Sequence, residues 1–274
     1  MKFIWAVFFL CSWGCSKVNF TASNPNTGQQ VQTPPPVLVT PVPPKCVGTI
    51  DKTTENLRII FMVDNSGSTL TTDPSQLIRV QTLKNFITKY GAKTNFTYSF
   101  GYFADSTFIF SPDSQKFINV TLKGLPASVF GTSADLTRAL TLFTQIQGNG
   151  GTNYGDALGA VHEMIAQDPT SKLLWNYILV FMSDGQPTDV FDPVLPALRS
   201  MIDSVTTAAI AKGGLATTSM VLFDPSSDTQ YSSSLENLSA MGSEGKGQFF
   251  DTNFPPVGGL AIDDIISVPG QSCL

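Results

Sequence analysis

Leu57-Arg58-Ile59-Ile60-Phe61-Met62-Val63-Asp64-Asn65-Ser66-Gly67-Ser68-Thr69 is the stretch that decides the architecture of this chain. From Leu57 to Val63 the residues are apolar almost without interruption. The run is too short for a helix and shows no polar alternation, so it predicts a strand buried on both faces, as in a parallel sheet. It ends in a carboxylate, two alternate hydroxyls and a glycine. A second run, Tyr177 to Met182, has the same character and ends the same way, at Ser183-Asp184-Gly185.

Outward from these two strands, apolar runs alternate with helical patterns, which predicts an α/β fold with a doubly wound, mostly parallel sheet flanked by helices. Further strands are expected at Thr97 to Phe103, Thr107 to Phe110, Ala216 to Phe223 and Gln248 to Phe250. Helical stripes run through Leu77, Val80, Lys84, Ile87 and Tyr90, with Asp73 and Pro74 as the N-cap and first turn. Others run through Leu136, Ala139, Leu140, Phe143 and Ile146, through Ala157, Leu158, Val161, Met164 and Ile165, and through Leu195, Leu198, Ile202, Val205 and Ala209, the last closed by Gly213 and Gly214. Shorter helices are expected at Ser234 to Met241 and Leu260 to Ser267. The stretch between Asp105 and Gly148 reads as holding extra loop material near the carboxyl ends of the strands.

In open parallel sheets, ligands bind beyond the carboxyl ends of the strands, where neighbouring connections diverge to opposite faces. Two carboxylates delivered there by adjacent strands repel one another unless a cation lies between them. The donors are carboxylate and hydroxyl oxygens, without His or Cys in the motif. Such a set selects Mg²⁺, Mn²⁺ or Ca²⁺ over softer ions.

Asp64-x-Ser66-x-Ser68 after a buried strand, Gly150-Gly151-Thr152-Asn153-Tyr154 opening a helix, and Met182-Ser183-Asp184-Gly185 closing a second buried strand together resemble the von Willebrand factor A family. The likeness spans about residues 50 to 270. It implies that family's Rossmann-like fold and its metal-ion-dependent adhesion site. Asp64, Ser66 and Ser68 are then ion ligands, Thr152 a direct or water-mediated one, and Asp184 a largely water-mediated one. The resemblance further implies a protein partner that completes the site with an Asp or Glu. Asn65, Tyr154, Gln186 and Asp189, in the same loops, are expected to form the partner-binding rim. His162, beside an apolar stripe, reads as structural.

Residues 1–14 carry Lys2, an apolar run from Phe3 to Leu10 and then small or polar residues, the layout of a signal peptide. Gly14 before Cys15 resembles a bacterial lipobox, which implies a lipidated Cys15. Residues 15–45 are rich in Pro and Thr and poor in charge, as in a stalk, at most roughly 90 Å long if fully extended. The domain then occupies residues 46–274. Cys46 and Cys273 lie at its two ends; in an exported protein they form a disulfide worth about 5 kcal/mol in the chain-entropy model, or else stay as free thiols. Location in the bacterial cell envelope follows, with a lipid anchor in the outer membrane or at the cell surface.

The formal net charge of -5, with every acidic residue at or after Asp51, argues against nucleic acid as a partner. A non-enzymatic binding module is the leading expectation. A metal-free structural subunit of an envelope assembly is one alternative and a metal-dependent hydrolase another. Phosphatases that use an aspartate after a buried strand need a second acid two residues on, where this chain has Ser66. A Ser/His/Asp hydrolase would have to recruit His162, and no serine here sits in a nucleophile elbow.

Overall fold

The structure is a computed structural model and describes residues 56–169 and 175–253. Within them the strands are β1 (Leu57–Asp64), β2 (Phe96–Phe103), β3 (Thr107–Ser111), β4 (Lys116–Asn119), β5 (Asn176–Ser183), β6 (Ala216–Leu222) and β7 (Lys246–Asp251). The helices are α1 (Thr69–Thr72), α2 (Leu77–Tyr90), α3 (Val120–Lys123), α4 (Ser133–Phe143), α5 (Tyr154–Ala166), α6 (Val194–Ala211) and α7 (Tyr231–Glu244). One sheet holds the strands in the order β4-β3-β2-β1-β5-β6-β7. From β2 through β1, β5 and β6 to β7 the pairing is parallel, and β3 and β4 add an antiparallel edge. The expected α/β, doubly wound, mostly parallel architecture is what the chain forms.

Every residue of β1 is buried. Leu57, Ile59, Phe61 and Val63 face the core under α2 and α4, and Ile60 and Met62 face the core under α5, α6 and α7. A strand with helices on both sides has no polar face to keep, which is why its sequence does not alternate. Each such side chain stabilises the fold by roughly 1.5–3 kcal/mol relative to exposure. From β1 the chain proceeds through α2 to β2 on one side of the sheet; from β5 it proceeds through α6 to β6 on the other. The connections diverge between β1 and β5, and a crevice opens at their carboxyl ends.

Helix α2 departs from the stripe expected of it. Its buried face is Arg79, Val80, Leu83, Phe86 and Tyr90, whereas Leu77 is 64% exposed and Lys84 lies at the surface. The helix is rotated because the Arg79 guanidinium is drawn inward by several acceptors, described below. Asp73 is not the N-cap; Gln76 is, with a left-handed φ of 54°. The Asp73 carboxylate instead reaches across to accept hydrogen bonds from the Ile78 and Arg79 amides, both at 3.2 Å, so Pro74 precedes the helix rather than opening it.

The region between Asp105 and Gly148 is also corrected: it is largely regular structure. A hairpin of β3 and β4 extends the sheet, and α4 starts with a capping box between Thr132 and Asp135. The signal segment at 1–14, the stalk at 15–45 with Cys15, both Cys46 and Cys273, and the helix expected at Leu260 to Ser267 lie outside the described residues.

Candidate metal centre

Val63 pairs with Met182, so the next residues of the two strands, Asp64 and Ser183, are lateral neighbours at the sheet's carboxyl edge. The Ser183 hydroxyl donates to Asp64 Oδ2 at 2.5 Å, and the Ser66 amide donates to Asp64 Oδ1 at 2.8 Å. Two residues further on, the Ser66 and Ser68 hydroxyls lie 2.9 Å apart. Ser68 then donates to Asp184 Oδ1 at 3.1 Å, and Thr72 on α1 donates to Asp184 Oδ2. Asp64, Ser66, Ser68 and Asp184 therefore form one connected cluster.

Both carboxylates are buried. Burial raises the Asp64 pKa, and the Asp184 charge raises it further. Burial also raises that of Asp184, although the hydrogen bonds from Thr72 and Ser68 and the Arg79 charge pull it back. Arg79 lies beneath the loop, 2% exposed. It donates to the Asp64 carbonyl at 2.9 Å, to Asn65 Oδ1 at 3.0 Å and to the Asp73 carbonyl at 3.1 Å, and forms an ion pair with Asp73 Oδ2 at 3.0 Å. With all three ionised, the buried carboxylates of Asp64, Asp73 and Asp184 against one buried guanidinium carry a net charge of -2, the complement of a divalent ion.

Thr152 arrives from the other side of the crevice. A Cβ built on Gly185 would lie 3.9 Å from both Ser68 Oγ and Thr152 Oγ1, so these hydroxyls flank the same point. The loop carrying Thr152 turns at Gly150, where φ is +73° and a Cβ would run into the Asp105 carboxylate. Asp105 Oδ1 accepts the Gly151 amide at 2.5 Å, and the Thr188 hydroxyl accepts the Thr152 amide at 2.9 Å. The loop after β5 thus clamps the loop before α5. Thr152 does not cap α5; Asn153 is the N-cap, and the Asp189 carboxylate accepts the Tyr154 and Gly155 amides at 2.9 and 2.7 Å.

The expected rim is corrected at two of its four residues, Tyr154 and Asn65. Tyr154 is 0% exposed, packed edge-on against Phe103 and Phe181, and its hydroxyl donates to the Gly185 carbonyl at 2.8 Å. Asn65 is 1% exposed, tied to Arg79 and, through Nδ2, to the Gln147 carbonyl at 3.2 Å. Asp189 is committed to the end of α5. Gln186 alone of the four is half-exposed without such a commitment. His162, on α5, hydrogen-bonds the Ser204 carbonyl of α6 at 3.0 Å.

Sequence reasoning missed Arg79, Thr72, Asp105 and Thr188. The one signal for Arg79 was its position inside an apolar stripe, six residues after Asp73; the others carry none. Among the described residues, no three His, Cys, Asp or Glu side chains group into a metal cage, so any ion here depends on the hydroxyls. Two carboxylates with Ser66, Ser68 and Thr152 hydroxyls fit a hard divalent ion, and that donor set disfavours Zn²⁺ or Cu²⁺.

No protein-family model matches the chain, and no curated protein matches it. Solved structures similar to it include a von Willebrand factor type A protein from Catenulispora acidiphila (14% identity, 72% of this chain and 38% of that one, TM-score 0.46). Others are the conserved hypothetical protein BatB from Bacteroides thetaiotaomicron (16%, 71% and 89%, TM-score 0.44) and the pilus adhesin SpaC from Lactobacillus rhamnosus GG (14%, 78% and 30%, TM-score 0.48). The chain spans only about two fifths of the first of these and less than a third of the last.

Proposed function

We propose that this chain is a von Willebrand factor A-type binding module of the bacterial cell envelope, carried on a lipid-anchored stalk, which engages a protein partner through a divalent ion. The observation that carries the reading is the cluster in which Ser68 links the hydroxyl of Ser66 to Asp184 while Asp64 lies one strand away. Asp64, Ser66 and Ser68 hold the ion, Thr152 and Asp184 complete its surroundings, and Mg²⁺ is the preferred ion, with Mn²⁺ or Ca²⁺ as substitutes. A bound hard cation supplies an electrophilic position that a partner's Asp or Glu can fill. Arg79 keeps the loop beneath in place, and the Asp105, Thr188 and Asp189 contacts hold the Thr152 loop against Asp184. No catalytic step is assigned to the cluster.

The thermal response to Mg²⁺ tests the ion. At about 100 times the dissociation constant, binding should add ~2.7 kcal/mol to wild-type stability, and Asp64→Ala should abolish the gain. Crosslinked capture of an envelope protein should in turn require the ion and be lost in Asp64→Ala. A second reading, a metal-free structural subunit, draws on one observation: both Asp184 oxygens already accept hydroxyl hydrogen bonds. Identical melting with Mg²⁺ and with EDTA in both proteins would select it.

A further inference from the structure

Helices α2 and α4 cover the same face of the sheet, and a groove lies between them. Two adjoining cavities form it, of about 490 and 370 Å³, and they share Lys84 and Thr144 as lining residues. From Leu77 to Thr88 the α2 wall rises roughly 16 Å, the length of about five extended residues. One end of the groove is tied to the metal loop. The carbonyl of Gln147, in its lining, accepts Asn65 Nδ2 at 3.2 Å, and Gln76 Nε2 donates to the Ile146 carbonyl at 2.7 Å. The rotation of α2 that buries Arg79 turns Leu77 out, 64% exposed, to form an apolar wall here with Val80.

Charge sets this face apart. On α2 and α4 the exposed charged residues are Lys84, Lys89 and Arg138. Their one acid outside the core, Asp135, lies in the first turn of α4, where its carboxylate accepts from Thr132 and Gln115. On the opposite face, α5, α6 and α7 carry Asp156, Glu163, Asp203, Glu236 and Glu244 against Arg199. The groove thus lies on a basic face of a chain whose net charge is -5. Among the described residues no Asp or Glu lines either cavity, and Lys84 has no carboxylate partner.

The hydroxyls of the α4 wall narrow the ligand further. Thr137, Thr141 and Thr144 donate to carbonyls of their own helix at 2.8, 2.9 and 2.8 Å, and Thr88 does so on α2 at 2.8 Å. What these hydroxyls offer a ligand is therefore an acceptor oxygen. Acceptors suit the N–H groups of a peptide backbone, whereas a phosphate group needs donors that converge on it.

We propose that the groove between α2 and α4 is a docking surface for an extended, acidic segment of a partner protein, about five residues long. The segment places a carboxylate on Lys84, apolar side chains on Leu77 and Val80, and backbone N–H groups on the Thr141 and Thr144 hydroxyls. This contact goes beyond the ion-dependent one and works without it.

Titration of the ¹⁵N-labelled full chain in EDTA with the peptide Gly-Val-Glu-Val-Glu-Val-Gly, followed by amide chemical shifts, tests this. The shifts should gather on residues 77–88 and 137–147, and the same peptide with Lys in place of Glu should bind at least about threefold more weakly. Lys84→Glu, at an exposed position, should reverse that preference, and Leu77→Ser should weaken the acidic peptide at least about threefold. Asp64→Ala should bind the peptide as wild type does, so a failure of the ion centre is distinguishable from a failure of the groove. Loss of binding in Asp64→Ala would place the peptide on the metal loop and overturn the proposal, as would unaltered binding in both Lys84→Glu and Leu77→Ser. Two further results would overturn it. Shifts in the groove that grow with protein concentration in the absence of peptide assign it to a second copy of the chain. Shifts caused by phosphatidylglycerol vesicles and not by the peptide assign it to a membrane.

Discussion

Ser183 donates its hydroxyl hydrogen to Oδ2 of Asp64 at 2.5 Å, joining the last residue of β5 to the last residue of β1. The bond spans the point where the chain connections diverge, so it fixes the orientation of a carboxylate that, among the described residues, is the most deeply buried. Loss of a group that orients a ligand typically costs ten- to a hundredfold in metal affinity. Ser183→Ala should therefore bind Mg²⁺ at least about tenfold more weakly by calorimetry while its circular dichroism stays that of wild type. Wild-type affinity in this variant would remove Ser183 from the site.

Arg79 is the counter-charge beneath the loop. Arg79→Met leaves Asp73 buried and unpaired and should lower stability in urea by about 3–5 kcal/mol. Combining it with Asp73→Asn should recover part of the loss, since the second change removes the stranded charge. Strict additivity of the two would show that the pair is not coupled.

Asp105 acts from the surface. Its carboxylate holds the Gly151 amide, and with it the approach of Thr152, yet the residue itself is exposed. Asp105→Ala should change stability by no more than about 0.5 kcal/mol, as surface changes usually do, while lowering Mg²⁺ affinity several-fold. An affinity that does not move would mean that the Thr188 and Asp189 contacts hold the Thr152 loop without Asp105.

Asp64, Asp184 and Asp224 all have pKa values raised by burial, that of Asp224 up to about 7. The folded chain thus binds more protons than the unfolded chain between roughly pH 4, the ordinary carboxylate range, and pH 7. Their contribution to stability is complete below that window and is lost as pH rises through it. The metal-free domain should unfold at higher urea concentration at pH 5 than at pH 8, and saturating Mg²⁺ should shrink the difference. A midpoint that rises with pH in EDTA would contradict the burial of these groups.

Much of this was legible along the chain. Leu57 to Val63 reads as a doubly covered strand because its neighbours in sequence leave no face for water, and the ligand candidates Asp64, Ser66 and Ser68 follow it directly. Tyr154 is the instructive failure. Its place beside Thr152 put it on the partner-binding rim, but the first turn of α5 aims it down at Phe103 and Phe181, and sequence position says nothing about that direction. Leu77 and Arg79 exchange roles for a similar reason. A charged side chain reads as solvent-facing until partners from Asp64, Asn65 and Asp73 are supplied in space.

What the sequence alone determined is the alternation of buried strands with amphipathic helices and the oxygen-donor chemistry at the ends of two of those strands, because burial and ligand type are properties of neighbouring residues. Only the tertiary structure decided that Ser183 bonds to Asp64, that Arg79 bonds to the Asp64 carbonyl, Asn65 and Asp73, and that Asp224 Oδ2 is enclosed without a partner. Those relations join residues remote along the chain, and hydrogen bonding and desolvation depend on distance in space, which no local pattern encodes.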